Sequence, residues 1–399
     1  MAAVTTKLFL RVARLLRYLV PHISLYLAPM TRIDYLIIGY GIAGATLAAE
    51  LRGRGRQVLV LDTPQPDSAS RVAAGLMNPV AGKRFALAWR AAELLPAAAA
   101  FYRAQERRLG QRFFFELPIL KLFSSVGEQN STIARSADQP WQDFVEDPGA
   151  PLPARPGVRQ ELGGLCIRRG GYVRVEELLT ALAAEGRQEG WLRPETFDWT
   201  QLVAQPEGGY LYAGRVQARH VVCCEGAAVA QNPYFQWLPV TPNQGEVLDV
   251  ACPGLPETEV LNKGAYVVPL GAGQFRVGAT YRWPPFAVST TPEARQELSQ
   301  RLHELTDQPF QVTGQRAGVR PAVRDRKPLL GTHPALPNVH IFNGLGSKGV
   351  MMAPRLAQVM ADWLEKDLAP WPEVNIRRYF TLYSPGPAAT GPASPASRS

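Results

Sequence analysis

Residues 35–44 read YLIIGYGIAG, a short apolar strand that runs directly into a glycine-rich turn. Residues 45–52 continue as a helix with small side chains, and residues 57–61 form a second apolar strand that ends at Asp62. This order of strand, G-x-G-x-x-G turn, helix, strand and acidic residue is typical of a Rossmann-type βαβ unit. The Asp62 carboxylate can accept a hydrogen bond from a ribose hydroxyl, so the sequence predicts a dinucleotide site here.

The residues of the turn have separate physical roles. Gly39 permits the tight turn, Gly41 lets the backbone approach a pyrophosphate, and Gly44 lets the helix pack close to the strand. The N–H groups of the first helical turn, at Ile42 and Ala43, then meet the pyrophosphate at the positive end of the helix dipole. The turn alone does not distinguish NAD from FAD.

Length and composition limit the classes of protein that are compatible with this site. A chain of 399 residues allows two domains, or one large domain with an insertion. No apolar run of about 18 residues occurs, so no spanning helix is predicted. The four cysteines form no C-x-x-C pair, which predicts neither a metal site nor a disulfide framework and fits a cytoplasmic location. The net charge of +9 is a weak argument for nucleic acid, and no such partner is expected.

Both ends of the chain are predicted to lie outside the fold. Residues 1–30 form a basic extension, in which residues 7–20 have apolar and basic faces at helical spacing. This pattern permits weak contact with an anionic membrane surface. The favoured interpretation, however, is an upstream start codon or a dispensable extension, because residues 31–35 after Met30 are a usual start to a first Rossmann strand. Residues 385–399 are rich in Pro, Ala, Ser and Gly and are predicted to be disordered.

Four further segments carry a resemblance to a known family. Residues 68–79, SASRVAAGLMNP, form a Ser/Ala-rich loop, and residues 318–331 read GVRPAVRDRKPLLG. Residues 338–354, NVHIFNGLGSKGVMMAP, combine a strand, a Gly-rich turn and the start of a helix. Residues 170–179, GGYVRVEELL, match more loosely because a proline is absent. Together these segments resemble the D-amino-acid oxidase / glycine oxidase family of flavoproteins, over roughly residues 33–370.

The resemblance implies an α/β fold with a discontinuous Rossmann-like FAD-binding domain. It also implies an α+β substrate domain with a large mixed or antiparallel sheet. FAD is expected to bind non-covalently, because no cysteine follows Cys252. The expected FAD-binding segments are 31–90, 160–235 and 316–372, and the expected substrate segments are 91–159 and 236–315.

The expected cofactor site draws on both ends of the chain. Its residues, from the turn and from the resemblance, are Gly39, Gly41, Ile42, Ala43, Gly44, Asp62, Ser70, Ala74, Gly75, Leu76, Val173, Gly226, Gly344, Gly346, Ser347, Lys348, Gly349 and Val350. A helix that begins near Met351 points its positive end, with Lys348, at the negative charge of a reduced flavin. Glu225, next to Gly226, has no explanation in this scheme.

Three residues are expected at the reacting end of the site. Arg320 matches the family arginine that holds a substrate carboxylate, and a planar guanidinium binds a carboxylate bidentately. Residues 261–281 read as a β-hairpin whose family counterpart carries a pocket aromatic residue. Tyr266 is the first candidate for that aromatic residue and Tyr281 the second, and Lys348 completes the catalytic set. A salt bridge is the alternative role for Arg320, and a core position is the alternative for Tyr266.

The resemblance implies oxidation of a small amine or amino acid by hydride transfer to flavin N5. The electron acceptor is O2 or an unidentified compound. Three alternatives stay open. The turn at 344–349 also resembles the oxidase half of a bifunctional enzyme that acts on carboxymethylaminomethyl-modified tRNA uridine. A membrane-surface amino-acid dehydrogenase that feeds quinone is the second, and a non-catalytic flavoprotein is the third.

Overall fold

A computed structural model of the chain describes residues 30–82, 85–147 and 152–385. The predicted amphipathic segment 7–20 and all of the predicted disordered tail except Pro385 lie outside the described residues. The strands, in chain order, are β1 (Thr31–Ile38), β2 (Val58–Leu61), β3 (Leu76–Met77), β4 (Val80–Ala81), β5 (Ala86–Leu87), β6 (Phe114–Phe115), β7 (Ile119–Leu122), β8 (Gly164–Ile167), β9 (Gly171–Val173), β10 (Leu192–Arg193), β11 (Leu202–Ala204), β12 (Tyr210–Tyr212), β13 (Val216–Cys223), β14 (Val240–Ala251), β15 (Val260–Lys263), β16 (Ala265–Gly271), β17 (Gln274–Gly278), β18 (Gln311–Val323), β19 (Leu329–His333) and β20 (Leu336–Asn343).

Seven α-helices and four short 3-10 turns connect the strands in the described ranges. The helices are α1 (Ile42–Gly53), α2 (Ala69–Val72), α3 (Ala91–Leu109), α4 (Val126–Ser136), α5 (Val175–Gln188), α6 (Pro292–Leu305) and α7 (Gly349–Lys366). The 3-10 turns are Trp141–Asp143, Trp199–Gln201, Gly226–Gln231 and Ile376–Leu382.

The first sheet has a parallel core in the order β10-β2-β1-β13-β20. β2 is a continuous apolar run, and all four of its residues are buried, as expected for a parallel strand covered on both faces. β12 and β19 add to this core in antiparallel orientation. Because β13 pairs with β1, the chain returns beside the glycine-rich turn after more than 150 residues, as a discontinuous Rossmann-like domain requires.

The second sheet contains seven strands in the order β18-β14-β17-β16-β15-β7-β8. All its pairs are antiparallel except that of β15 with β7, so the sheet is mixed. The predicted hairpin at residues 261–281 is present as β15, β16 and β17. α6 packs on this sheet and buries Leu298 and Leu302 in its core. A Rossmann-like sheet beside a large mixed sheet is the fold class that the sequence predicted.

The pairing of two strands differs from the expected division of the chain. β8 and β18 pair within the seven-stranded sheet, although they overlap the expected FAD-binding segments. β18 pairs in this sheet because β14, with twelve residues, forms a long antiparallel pair with it. Conversely, α3 lies in an expected substrate segment but packs against α7, in the same hydrophobic cluster as α1.

A buried tyrosine completes the hydrogen bonding of α7. Pro354 lies inside this helix, and proline has no N–H to donate to the carbonyl of Val350, four residues earlier. The Tyr102 hydroxyl on α3 donates to that carbonyl oxygen instead, at 2.7 Å, and its side chain is fully buried. The position of α3 is therefore tied to the first turn of α7.

We expect Tyr102→Phe to destabilise the protein by about 1–3 kcal/mol, because it leaves a buried carbonyl without a donor. The loss should be smaller in a Pro354→Ala background, since an alanine at that position supplies the missing N–H. A double-mutant cycle of urea unfolding measures the coupling between the two positions. Strict additivity of the two changes would contradict this role for Tyr102.

Candidate active site

A cavity of about 1540 Å³ lies where the carboxyl ends of the parallel strands face the seven-stranded sheet. It brings together residues that are far apart in sequence. Of the predicted site residues it is lined by Gly39, Gly41, Ile42, Ala43, Asp62, Ser70, Ala74, Gly75, Leu76, Gly226, Tyr266, Arg320, Gly346, Ser347, Lys348, Gly349 and Val350. Crevices at this edge of open α/β sheets are the usual place for ligands.

The glycine-rich turn is shaped by contacts that exclude a side chain at two of its positions. Gly39 has φ +95°, and a Cβ on it would lie 2.6 Å from the carbonyl oxygen of Cys224. A Cβ on Gly44 would lie 2.0 Å from the carbonyl oxygen of Gly39. A Cβ on Gly41 would meet only the Ser70 side chain, at 3.1 Å. Glycine at positions 39 and 44 is therefore required by close backbone packing. At Gly41 the missing side chain leaves the cavity wall open.

Two side chains bind the backbone of this turn. The carboxylate oxygen Oδ1 of Asp62 accepts from the Tyr40 N–H at 3.0 Å. The Ser70 hydroxyl oxygen accepts from the Ile42 N–H at 3.0 Å. Burial raises the pKa of Asp62, and the hydrogen bond from Tyr40 opposes that shift. Asp62 thus stands at the end of β2 with an oxygen available to a ribose hydroxyl.

A second helix begins at the same wall of the cavity. Gly349, the first residue of α7, is so close to α1 that a Cβ would lie 3.1 Å from Ile42 Cγ2. Lys348 is the N-cap residue, and burial lowers the pKa of its ammonium group to about 8, with a further contribution from the charge of Lys327. Two positive helix ends and one lysine therefore act on the same space.

The loop after Asp62 is fixed to the seven-stranded sheet. Arg276 donates to the carbonyl of Ala73, and Arg316 donates to the carbonyl of Arg71. Both guanidinium groups also pair with Asp249, at 2.8 and 3.1 Å. The loop that lines the cavity is thereby held by the seven-stranded sheet.

Arg320 lies in the cavity without an anionic partner. Its Nη1 donates to the Asn243 side-chain oxygen at 2.9 Å and to the Thr280 carbonyl at 3.3 Å. The guanidinium lies 4.4 Å from the ring centroid of Tyr281. Gly245 gives it space, since a Cβ there would lie 1.9 Å from Nη2. In the described ranges no carboxylate lies within salt-bridge distance of Arg320.

Two tyrosines form the wall beside Arg320. Tyr266 is half-buried and lies on β16, directly opposite Gly278 on β17. Burial raises the pKa of its phenol, although the charge of Arg320 opposes the shift. Tyr281 is 64% exposed, so it stands where the cavity opens to solvent. Arg320, Tyr266 and Tyr281 thus surround one end of the cavity.

Three predicted cofactor residues do not line the cavity. Gly44 lies beneath the turn, where α1 meets β1. Val173 is fully buried behind the loop and donates its N–H to the carbonyl of Gly75. Gly344 has φ +73° and packs against Val323. These residues support the cavity wall from behind.

Other residues line the cavity without having been identified by sequence. The segment Glu195–Phe197 follows β10 and lies near Asp62 along the sheet edge. This segment could have been predicted only from the strand order, which places β10 next to β2. Glu225 and Trp199 also line the cavity, and Lys121 and Glu128 form an ion pair at 2.6 Å within the same lining.

These features of the cavity define a class of protein. The open wall at Gly41, two helix N-termini and an acidic strand end fit a dinucleotide with a pyrophosphate. An arginine with no anionic partner lies beyond them in the same cavity. The class is a dinucleotide-binding protein whose cavity extends beyond the dinucleotide turn to Arg320.

The comparison with protein families identifies the cofactor. The family described as FAD dependent oxidoreductase matches residues 34–363. The chain therefore belongs to this family and is an FAD-dependent oxidoreductase, which confirms the family resemblance and the predicted cofactor.

Curated proteins of this family are similar over most of the chain. It is 28% identical over 351 residues to the bifunctional protein ThiO/ThiG of Nostoc sp., which covers 84% of this chain and 52% of that protein. It is 27% identical over 372 residues to the tRNA 5-methylaminomethyl-2-thiouridine biosynthesis bifunctional protein MnmC of Idiomarina loihiensis, which covers 87% of this chain and 58% of that protein. The chain thus spans little more than half the length of these two relatives.

A shorter relative matches from end to end. The glycine oxidase of Geobacillus kaustophilus is 27% identical over 366 residues, covering 85% of this chain and 96% of that protein. Its crystal structure superposes with a TM-score of 0.70 at 22% identity, covering 88% of this chain and 98% of that one. This likeness confirms the predicted fold class. Across the described residues, no helix has the length and apolar character needed to cross a bilayer.

We expect Gly41→Ala to weaken FAD binding at least about tenfold, roughly 1.4 kcal/mol, while the apoprotein keeps its thermal stability. The backbone at Gly41, with φ −76°, accepts a Cβ, which would then occupy the path of the pyrophosphate. Flavin content after purification and the apoprotein melting temperature separate the two effects. Gly53→Ala, at the end of α1 with nothing within 4 Å, is the control. Unchanged flavin content in Gly41→Ala would exclude this path.

Proposed function

We propose that this protein oxidises a small amine or amino acid that carries a carboxylate, with FAD as hydride acceptor. The observation that carries the proposal is the unpaired Arg320 guanidinium in the cavity that also contains the dinucleotide turn. Charged side chains that are withdrawn from water are usually paired, and for the half-buried Arg320 the described residues provide only neutral acceptors. A substrate carboxylate would supply the missing charge.

The geometry of Arg320 supports this choice of ligand. Asn243 and Thr280 both accept from Nη1, which fixes the guanidinium plane and leaves the other donors for a ligand. A carboxylate bound by two of them would be oriented as well as held. Tyr266 and Tyr281 would then confine the substrate and exclude water from its apolar side.

When bound, FAD supplies the two-electron acceptor for the α-hydrogen of the substrate, which is cofactor chemistry rather than protein chemistry. The protein contributes orientation and charge. Arg320 would bind the carboxylate, and the amine would enter as its free base. Lys348 and the N-terminus of α7 would hold positive charge in the same cavity.

The names of similar proteins favour the same substrate class. The glycine oxidase of Geobacillus kaustophilus matches along nearly its full length. A tRNA-modifying function is the second candidate, because the MnmC protein matches 87% of this chain. RNA that copurifies with the protein and survives a high-salt wash would favour that second function.

We expect Arg320→Ala to keep its bound flavin and to lose about 2–5 kcal/mol in kcat/KM for carboxylate substrates. An amine without a carboxylate should be affected much less. Anaerobic flavin bleaching with glycine, sarcosine, proline and D-amino acids, against simple amines, measures the difference. Arg324→Ala, an exposed arginine four residues later, is the matched control. Equal losses for both classes of substrate would refute the proposed role.

The charge of Lys348 should appear in the pH dependence of flavin reduction. Burial lowers its pKa to about 8, so it loses its charge as pH rises past this value, and a bound anionic cofactor would move that loss to higher pH. We expect the reduction rate to fall as pH rises past about 8, on top of the increase due to substrate deprotonation. Lys348→Met should be about tenfold slower near neutral pH, about 1.4 kcal/mol, and lack the fall.

Anaerobic stopped-flow bleaching measures these rates. Lys348→Arg should keep its charge and show no fall in this range. Lys366→Met, at the exposed end of the same helix, controls for loss of a lysine. A wild-type profile identical to that of Lys348→Met would rule out a role for the lysine charge.

A further inference from the structure

Glu225 is an acidic residue at the edge of the glycine-rich turn. It follows β13 and Cys224, so it emerges from the carboxyl end of the strand next to β1. The ideal Cβ of Gly39 would lie 3.2 Å from Glu225 Cα, which shows that the two turns are in contact. Glu225 lines the same cavity as the turn, as does Trp199, which donates to its carboxyl.

Neighbouring side chains fix the position of the Glu225 carboxyl. Its Oε2 accepts a hydrogen bond from the Asn232 side-chain nitrogen, and the Trp199 side chain also donates to it. Asn232 is 1% exposed, and its Oδ1 accepts from the N–H groups of Tyr234 and Phe235. The amide orientation is therefore determined, and its nitrogen must face Glu225.

No cation accompanies this carboxyl. Within the described part of the chain, no lysine, arginine or histidine nitrogen lies within 4.0 Å of Glu225. An ionised Glu225 would also stand beside a site that binds an anionic pyrophosphate, where like charges repel. A neutral carboxylic acid avoids this repulsion and has one O–H group to donate. Phosphate oxygens are acceptors only, so they match that donor.

From these contacts we propose that Glu225 is a further cofactor-binding residue, which binds FAD as a carboxylic acid that donates its O–H to an oxygen of the anionic dinucleotide. The proposal rests on the FAD site described above. It predicts that FAD binding is linked to a proton on Glu225 and weakens as that proton is lost.

Burial supports the neutral state by raising the pKa of Glu225 to about 7, against the opposing hydrogen bonds from Asn232 and Trp199. The charged or titratable groups on the surrounding elements include Asp62, Glu195, Asp198, Cys223, Cys224, Tyr234, Arg320, His333 and Lys348. Burial raises the pKa of both thiols and of the Tyr234 phenol, so these groups stay neutral near pH 7. Lys348, with a pKa of about 8, could also lose its charge in this pH range and produce a similar pH dependence of FAD binding.

The sign of the pH effect follows from linkage. A proton that is needed for binding is present in the free protein below about pH 7 and absent above it. Loss of one such proton weakens FAD binding about tenfold between about pH 6 and about pH 8. Glutamine has the size of glutamic acid and keeps an N–H donor at every pH. Glu225→Gln should therefore bind FAD as tightly as the wild type near pH 6 and show no weakening up to pH 8.

The experiment dilutes the holoenzyme stepwise between about pH 6 and about pH 8 and reads released FAD by its fluorescence. Wild type and Glu225→Gln are also compared in the Lys348→Met background, where the lysine does not titrate. Glu93→Gln, a carboxyl on α3 that pairs with Arg90 and Arg355 outside the cavity, is the matched control. It should keep the wild-type pH profile.

An FAD affinity of the wild-type protein that does not change between about pH 6 and about pH 8 would overturn the proposal. This measurement requires no variant. A Glu225→Gln profile with the wild-type slope would also overturn it. A variant that binds FAD more weakly than wild type near pH 8 would show that ionised Glu225 acts as an acceptor, which contradicts the donor role. Absence of flavin from the wild-type protein would instead reject the FAD site itself, so the two failures are distinguishable.

Discussion

The close contact between the first turns of α1 and α7 is the constraint on which the cavity depends. Gly349 meets Ile42 where a Cβ would be only 3.1 Å away, and Gly44 lets α1 pack directly on the glycine-rich turn. With bulkier residues there, the two helices would separate. Their N-termini therefore face the same cavity, where two helix dipoles would act together on a bound anion.

The second constraint joins this cofactor wall to the seven-stranded sheet. Asp249 on β14 pairs with both Arg276 and Arg316, and these arginines donate to backbone carbonyls of the loop that contains Ser70. That hydroxyl in turn accepts from the backbone of Ile42. A chain of hydrogen bonds thus runs from the seven-stranded sheet to the glycine-rich turn, so the two sides of the cavity are held in fixed relation.

Local patterns were sufficient where the chemistry is encoded in consecutive residues. The turn at residues 39–44, the strand β2 with its terminal Asp62, and the hairpin of β15, β16 and β17 all agree with prediction. Sequence pattern was insufficient where pairing between strands that are distant in the chain decides which residues reach the cavity. Val173 has the expected sequence context but packs behind the loop, because β9 pairs with β3 and β6 rather than facing the cavity.

The sequence by itself determined the dinucleotide turn and the family resemblance, since steric and dipole requirements act within a few residues of each other. Only the tertiary structure decided that β18, with Arg320, belongs to the mixed sheet and that Arg320 has no anionic partner in the described chain. The tertiary structure also placed Asn232 and Trp199 where their side chains donate hydrogen bonds to Glu225. Charge and burial at these positions depend on neighbours that are distant in sequence, and no local pattern records them.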